Sequence, residues 1–499
     1  MPEDPTKRWP QAEVMYGPFI EPPPRHPDFN WSAERERLTA LMRESNNPHS
    51  VLEYILDFPD QHIEESYWED FLLWAHEQSD TLLERGNSGV PDVADETVIA
   101  LLNTAQFLGE YGHAKEADSL EEKVIAFWAE NFKLFSVDGE AIPYRLGLRI
   151  SSLAKMVYHT EMRDRLYKQI TPRNRAIQTI SHDLAFEAVK NGFTEEDRKD
   201  GNPLARVDLF DFENLILSTF NPNEIQELAE VLGERHSADL DLRTQRLHKA
   251  SQQEKDRAHI VHLRRWIWSV MELEAHAPGT AKDLQSRFGI INFHHYPTEI
   301  LKDIYDNRDN PVPYGVVVGA QYDWNDALHD AWDDHVLNSL YKQLKERGVH
   351  IRILEVDSAR SLARRMLSLD KVYGSEHKMS FGMIRAHGGE EEVQLGNKYG
   401  QKLSKRQLKR VRPENLKRFF VEKPPIVVDS CSSGAPDGLA EEIATILGGV
   451  TYGAEGISYG VKEITVSGEA GHLKFAVELN EKSSKVEDES EPRLRTYNG

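Results

Sequence analysis

A change of hydrophobic period near residue 307 sets the architecture this chain can adopt. Upstream, apolar residues recur every three or four positions, as in "SVLEYILDF", "WEDFLLWAHEQ" and "ETVIALLNTAQFLGEYG", which is the spacing of amphipathic helices. Downstream of "DNRDNPVP", Asp306 to Pro313, short continuous apolar runs alternate with helical segments. The strand-like runs are "YGVVVGAQ", "VHIRILEV", "MSFGMIRAHGG", "PIVVDSC" and "VTYGAEG", with "GVKEITVSG" and "HLKFAVEL" as a terminal pair. Between them lie "DDHVLNSLYKQLKERG", "SARSLARRMLSL", a basic insert and "GLAEEIATILGG". Strands separated by helices require crossovers. The expected C-terminal fold is therefore α/β, a mostly parallel sheet with helices on both faces, preceded by all-α domains.

A chain of 499 residues is too long for one ordinary core, and three domains are expected. The segments read as a Pro-rich extended arm (1–30), an all-α domain (31–205), a small helical adaptor-like domain (206–307), the α/β domain (312–480) and a polar disordered tail (481–499). Within the first helical block, Ala105 and Gly109, a turn at Gly112, then Ala114 and Ala117 resemble one tetratricopeptide hairpin. A solenoid needs about three such copies, so an ordinary helical domain stands beside that reading. The second block, with Trp266, Ile267 and Trp268, resembles death-like or effector-associated adaptor modules.

Charge narrows the function classes. Lys plus Arg number 60 against 83 for Asp plus Glu, a formal net charge of -23, which repels phosphate backbones and anionic membrane surfaces. No nucleic-acid or membrane partner is expected. The one cysteine excludes an internal disulfide and fits a reducing compartment. There is no apolar leader at "MPEDPTKRWPQAEVMYGPF" and no run of about 18 apolar residues, so a cytoplasmic protein is expected. No phosphate-binding or dinucleotide glycine motif occurs, and no cofactor is expected. "HDAWDDH", His329 to His335, has helical spacing compatible with a metal, but an acidic helix start explains its carboxylates, and no metal is expected. The insert Lys398 to Arg418 holds nine basic residues and one acid; lacking interleaved aromatics, it reads as a solvated or partner-facing helix.

In a doubly wound sheet, catalytic groups sit where loops leave the carboxyl ends of the strands. The third strand ends in "RAHGG" and the fourth in "DSCSSG", which sets His387 and Cys431 on one sheet edge. A thiolate is a strong nucleophile, and an imidazole within reach can activate it or protonate a leaving group. The N–H groups of Gly388 and Cys431 are candidates for an oxyanion hole, with Gly388 and Gly389 permitting close approach of a substrate carbonyl. Singly, a strand-end cysteine is usually a small buried hydrophobe and a turn histidine is usually solvated. Together they make a specific constellation, on which the chain spends its only cysteine.

At these residues, over roughly Val312 to Val466, the chain resembles the caspase-like (clan CD) cysteine peptidases; "DSCSSG" is similar to the metacaspase motif and "CSSG" to separase. The resemblance implies a cysteine endopeptidase with His387 and Cys431 as the dyad and a protein as substrate, the helical N-terminal region recruiting a partner or regulator. It also implies that Asp429, two places before the cysteine, binds a basic P1 side chain, giving cleavage after Arg or Lys. Tyr452 and Glu455 would line the same pocket. Asp429 can equally be a turn former and Glu455 a solvated turn residue. The reading from another class is a helical scaffold whose caspase-like domain no longer cuts.

Overall fold

A computed structural model describes residues 29–44, 67–86, 91–131, 156–157, 182, 209–232, 265–321, 334–374, 377–396, 401–456, 460–480 and 493–499. Most of the expected arm and the first five residues of "HDAWDDH" lie outside them. The chain divides into two units, Met1–Glu234 with Lys255–Leu263, and Arg235–Glu254 with Arg264–Gly499.

The first unit is helical where described: α1 (Trp31–Glu44), α2 (Trp68–Glu77), α3 (Ser79–Gly86), α4 (Pro91–Glu110), α5 (Ala114–Asn131), α6 (Leu209–Thr219) and α7 (Pro222–Leu232). Helices α4 and α5 form a hairpin around Gly112, whose φ of 85° suits glycine. Ala105, Ala117 and Leu120 are fully buried in it, and small side chains of this kind let helix axes approach closely. Helices α2 and α3 pack on α4 as well.

The second unit is built on a six-stranded sheet. Its strands are β1 (Tyr314–Ala320), β2 (His350–Val356), β3 (Met379–Arg385), β7 (Pro425–Asp429), β8 (Val450–Glu455) and β11 (Arg493–Asn498), in the order β11-β8-β7-β3-β1-β2. All neighbours are parallel except β11, which runs antiparallel to β8. Two-sided burial explains the continuous apolar runs: β7 is buried at every position. The crossover helices are α11 (Asp334–Lys345), α12 (Ala359–Tyr373) and α15 (Leu439–Leu447), the second opened by a reciprocal Ser358/Ser361 capping box. A small sheet, β4 (His387–Gly388), β5 (Glu392–Gln394) and β6 (Lys402–Ser404), follows β3. Helices α13 (Lys405–Arg410) and α14 (Pro413–Lys417) then lead to β7, and β9 (Val461–Ser467) with β10 (Lys474–Leu479) makes the expected terminal hairpin.

Two domain boundaries differ from expectation. The helices α8 (265–276), α9 (Thr280–Phe288) and α10 (Thr298–Asp306) belong to the sheet unit, whereas α6 and α7 belong to the other, so 206–307 is not one domain. The physical reason lies in two buried charges on β2. Arg352, fully buried, donates to the Asn307 carbonyl at 2.9 Å and to the Tyr373 hydroxyl at 2.8 Å, and that hydroxyl reaches the Arg308 carbonyl at 3.1 Å. The supposed linker thus supplies acceptors that a buried guanidinium needs. Glu355, also fully buried, takes its donors from the segment between α9 and α10. The tail differs too. Residues 481–492 are outside the described set, but Arg493–Asn498 form the edge strand, since their polar side chains suit a strand with one wet side.

Candidate active site

Strands β3 and β7 are adjacent and parallel, with Arg385 in register with Asp429. The Ala386 N–H donates to the Asp429 carbonyl at 3.4 Å, holding the two strand ends level. His387 and Cys431 each follow two residues later. They therefore leave neighbouring strands at the same height, on the edge where a ligand is expected.

His387 turns out of the main sheet into β4, where it pairs with Gln394 while Gly388 pairs with Val393. A Cβ on Gly388 would run into the Glu392 carbonyl and the Ser430 hydroxyl, so the His-Gly edge lies against the residue preceding the cysteine. Cys431, partly exposed, begins a tight turn. Ser432 has φ 54°, a left-handed conformation that costs a non-glycine residue about 1–2 kcal/mol. The surroundings hold it there: the Ser432 N–H donates to the Gly456 carbonyl at 2.6 Å and the Gly434 N–H to the Ala454 carbonyl at 2.8 Å. The buried Ser433 hydroxyl bonds back to the Val428 and Ser430 carbonyls, both at 3.0 Å. From the other edge, Tyr497 of β11 reaches the carbonyls of Gly434 and Ala435. The turn is thus fastened to β7, β8 and β11.

The third expected residue, Asp429, lies buried beside a cation of the neighbouring strand. Asp429 has only a twentieth of its surface exposed, and the cation beside it is Arg385, Nε to Oδ2 3.3 Å. Burial pushes its carboxyl above the usual range, partly offset by the Arg385 charge and the N–H of Val461. Asp429 is thus paired with Arg385, which supplies the counter-charge that a buried carboxylate needs. Tyr452 is half-buried and donates to the Phe475 carbonyl at 2.6 Å, joining β8 to the hairpin. Glu455 stays accessible, about a third exposed, and holds Arg495 in a bidentate pair, 2.8 Å to Nε and 2.7 Å to Nη2. That hydrogen-bonded pairing keeps the Glu455 carboxyl below the usual range. Glu455 precedes Gly456, whose carbonyl holds Ser432.

In the described part of the basic insert, from residue 401 on, α13 carries a Ser404/Gln407 capping box, and Lys405 bonds the Asp437 carbonyl. Among the described residues, no group of three His, Cys, Asp or Glu side chains is placed to hold a metal ion, and no helix is long and apolar enough to cross a membrane.

Sequence reasoning missed Tyr296, Glu355, Arg385, Arg495 and Tyr497. One signal was available: a basic residue two places before His387 and an acidic one two places before Cys431 are matched positions on adjacent strands. Comparison with protein-family models, curated proteins and solved structures found no match.

Proposed function

We propose that the chain is a caspase-like cysteine endopeptidase in which Cys431 attacks the peptide carbonyl and His387 acts as general acid and base. The observation that carries this reading is the level exit of His387 and Cys431 from β3 and β7, anchored by the Arg385–Asp429 register. The strained turn at Ser432 supports it, since strain beside a nucleophile is retained where surroundings over-determine it. The Cys431 thiolate would form the acyl bond as the peptide C–N bond breaks, with the imidazolium protonating the leaving amine; water, deprotonated by the same imidazole, would then release the acid. A preference for cleavage after Arg or Lys rests on Glu455, the accessible carboxylate near the turn, which already accommodates one guanidinium.

The test is cleavage of a mixed peptide library by the wild type, Cys431→Ala and His387→Ala, with alkylation of Cys431 followed in parallel. Loss of cleavage in both variants supports the reading; cleavage that survives Cys431→Ala ends it. No cleavage in any form, together with alkylation at the rate of a free cysteine, would make the domain a silent scaffold.

A further inference from the structure

Four residues at the carboxyl ends of the strands stand in one register row. Gly319 on β1 pairs with Glu355 on β2 and with Arg385 on β3, and Arg385 pairs with Asp429 on β7. The row reads acid, glycine, base, acid across four adjacent strands. Its three charged members are almost completely buried, at 0%, 4% and 5% exposure for Glu355, Arg385 and Asp429.

Each end of the row is closed by backbone from outside the sheet. At one end Glu355 Oε2 accepts the N–H groups of Ile291 and Asn292 at 2.7 and 3.1 Å and the Asn292 amide at 3.2 Å. The Tyr296 hydroxyl crosses above Gly319, where a Cβ would approach it to 2.8 Å, and faces Glu355 and Arg385. At the other end the Val461 N–H bonds Asp429. The titratable groups set against Arg385 include Asp429 on β7 and Tyr296 from the segment before α10, with Glu355 two strands away in the same row. His387, on β4, and Cys431, in the turn after β7, stand just beyond.

This arrangement is more than a staple. A buried ion pair adds little net stability compared with apolar residues of the same shape, so stability alone does not account for three charges here. Asp429 lies two residues, roughly 7 Å along an extended chain, from Cys431, and Arg385 lies as far from His387. At that range a full charge acting on a partly exposed group alters ionisation by up to about one pH unit.

We propose that Arg385 is a positioning residue for the dyad: set in the Glu355–Gly319–Arg385–Asp429 row, it levels the strand ends that carry His387 and Cys431 and sets the charge under which Cys431 ionises. The inference rests on Cys431 as the nucleophile but is tested without cleavage, because the chain has one cysteine and alkylation reports on that thiol alone. With both acids ionised the row carries one net negative charge. Removing Arg385 makes it more negative and opposes the thiolate; removing the Asp429 charge does the reverse.

The experiment is the pH–rate profile of iodoacetamide alkylation of the full chain, at pH values above those where Asp429 itself titrates. Arg385→Met should move the profile up by about one pH unit and slow alkylation at neutral pH by roughly tenfold. Asp429→Asn should move it down by a similar amount, and Glu355→Gln, three strands further off, in the same direction but less. Opposite shifts of the profile's midpoint support the proposal, since structural damage that exposes the thiol speeds alkylation at every pH and does not move the two midpoints in opposite directions. If Arg385→Met does not fold, Asp429→Asn decides: a lower midpoint supports the proposal, and a raised or unchanged midpoint, whatever the absolute rate, overturns it. His387→Ala in the same assay separates the two readings. An unaffected profile there counts against the dyad while leaving the charge signs to judge the row.

Discussion

The hydroxyl of Tyr497, on the last strand, donates to the carbonyl of Gly434, 2.9 Å away, three residues after Cys431, and shares its hydrogen with Ala435 at 3.0 Å. Tyr497→Phe keeps the ring and removes only this restraint. A hydrogen bond of this kind contributes about 0.5–1.5 kcal/mol. We expect kcat on a basic peptide to fall by roughly threefold to tenfold with KM little changed, measured by steady-state cleavage. A fall confined to KM would show that the contact serves binding instead.

Ser432 offers a test of backbone strain. Its φ of 54° is open to glycine and hostile to a β-branched residue. Ser432→Gly should be neutral or slightly stabilising, because relief of strain is offset by the greater freedom of glycine in the unfolded chain. Ser432→Val should cost about 1–3 kcal/mol and slow alkylation of Cys431. Thermal melts of the two variants check this, and equal stability would mean that the turn relaxes to another conformation.

Buried carboxyls set a pH dependence of known sign. Burial raises Asp429 and Glu355 above the ordinary carboxylate range, against the pull of Arg385 on the first and of the Ile291 N–H and Tyr296 on the second. Between the unfolded value, near about 4, and the raised one, the folded chain holds more protons than the unfolded chain. The stability contributed is fully present below the unfolded value and is lost as pH rises through the folded one. The melting temperature of the wild type minus that of Asp429→Asn should therefore shrink from about pH 4.5 to pH 8. A difference that grows with pH would contradict the raised value.

The Glu455–Arg495 pair is solvent-exposed, so its strength is modest and salt-dependent. If Glu455 reads a basic side chain, Arg495 is its resident competitor. Arg495→Met should raise kcat/KM for Arg peptides by roughly twofold to fivefold, and Glu455→Gln should lower it, with peptides lacking a basic P1 unaffected in both. A library profile unchanged in both variants would remove Glu455 from the pocket.

The central strands were legible because burial on two sides demands uninterrupted apolar runs, and "YGVVVGA" and "PIVVD" have no other economical reading. What a face packs against is not written in its period. The helices around Trp266 show a clear 3.6-residue pattern, yet nothing local says that Ile291 and Asn292 serve a carboxylate on β2. "RLRTYN" escaped because an edge strand with one solvated side looks like a polar tail. His387 and Cys431 stood out as types at strand ends. The pairing of Asp429 with Arg385 did not, because register is a property of two strands and each sequence segment reports only one.

The Tyr497 contact also bears on the order in which the protein is made. Strand β11 follows every other described element, so the turn that carries Cys431 lacks one of its fastenings until the ribosome has synthesised the last strand. The contacts around Cys431 are therefore assembled in two stages, those from β7 and β8 first and that from Tyr497 only when β11 pairs with β8.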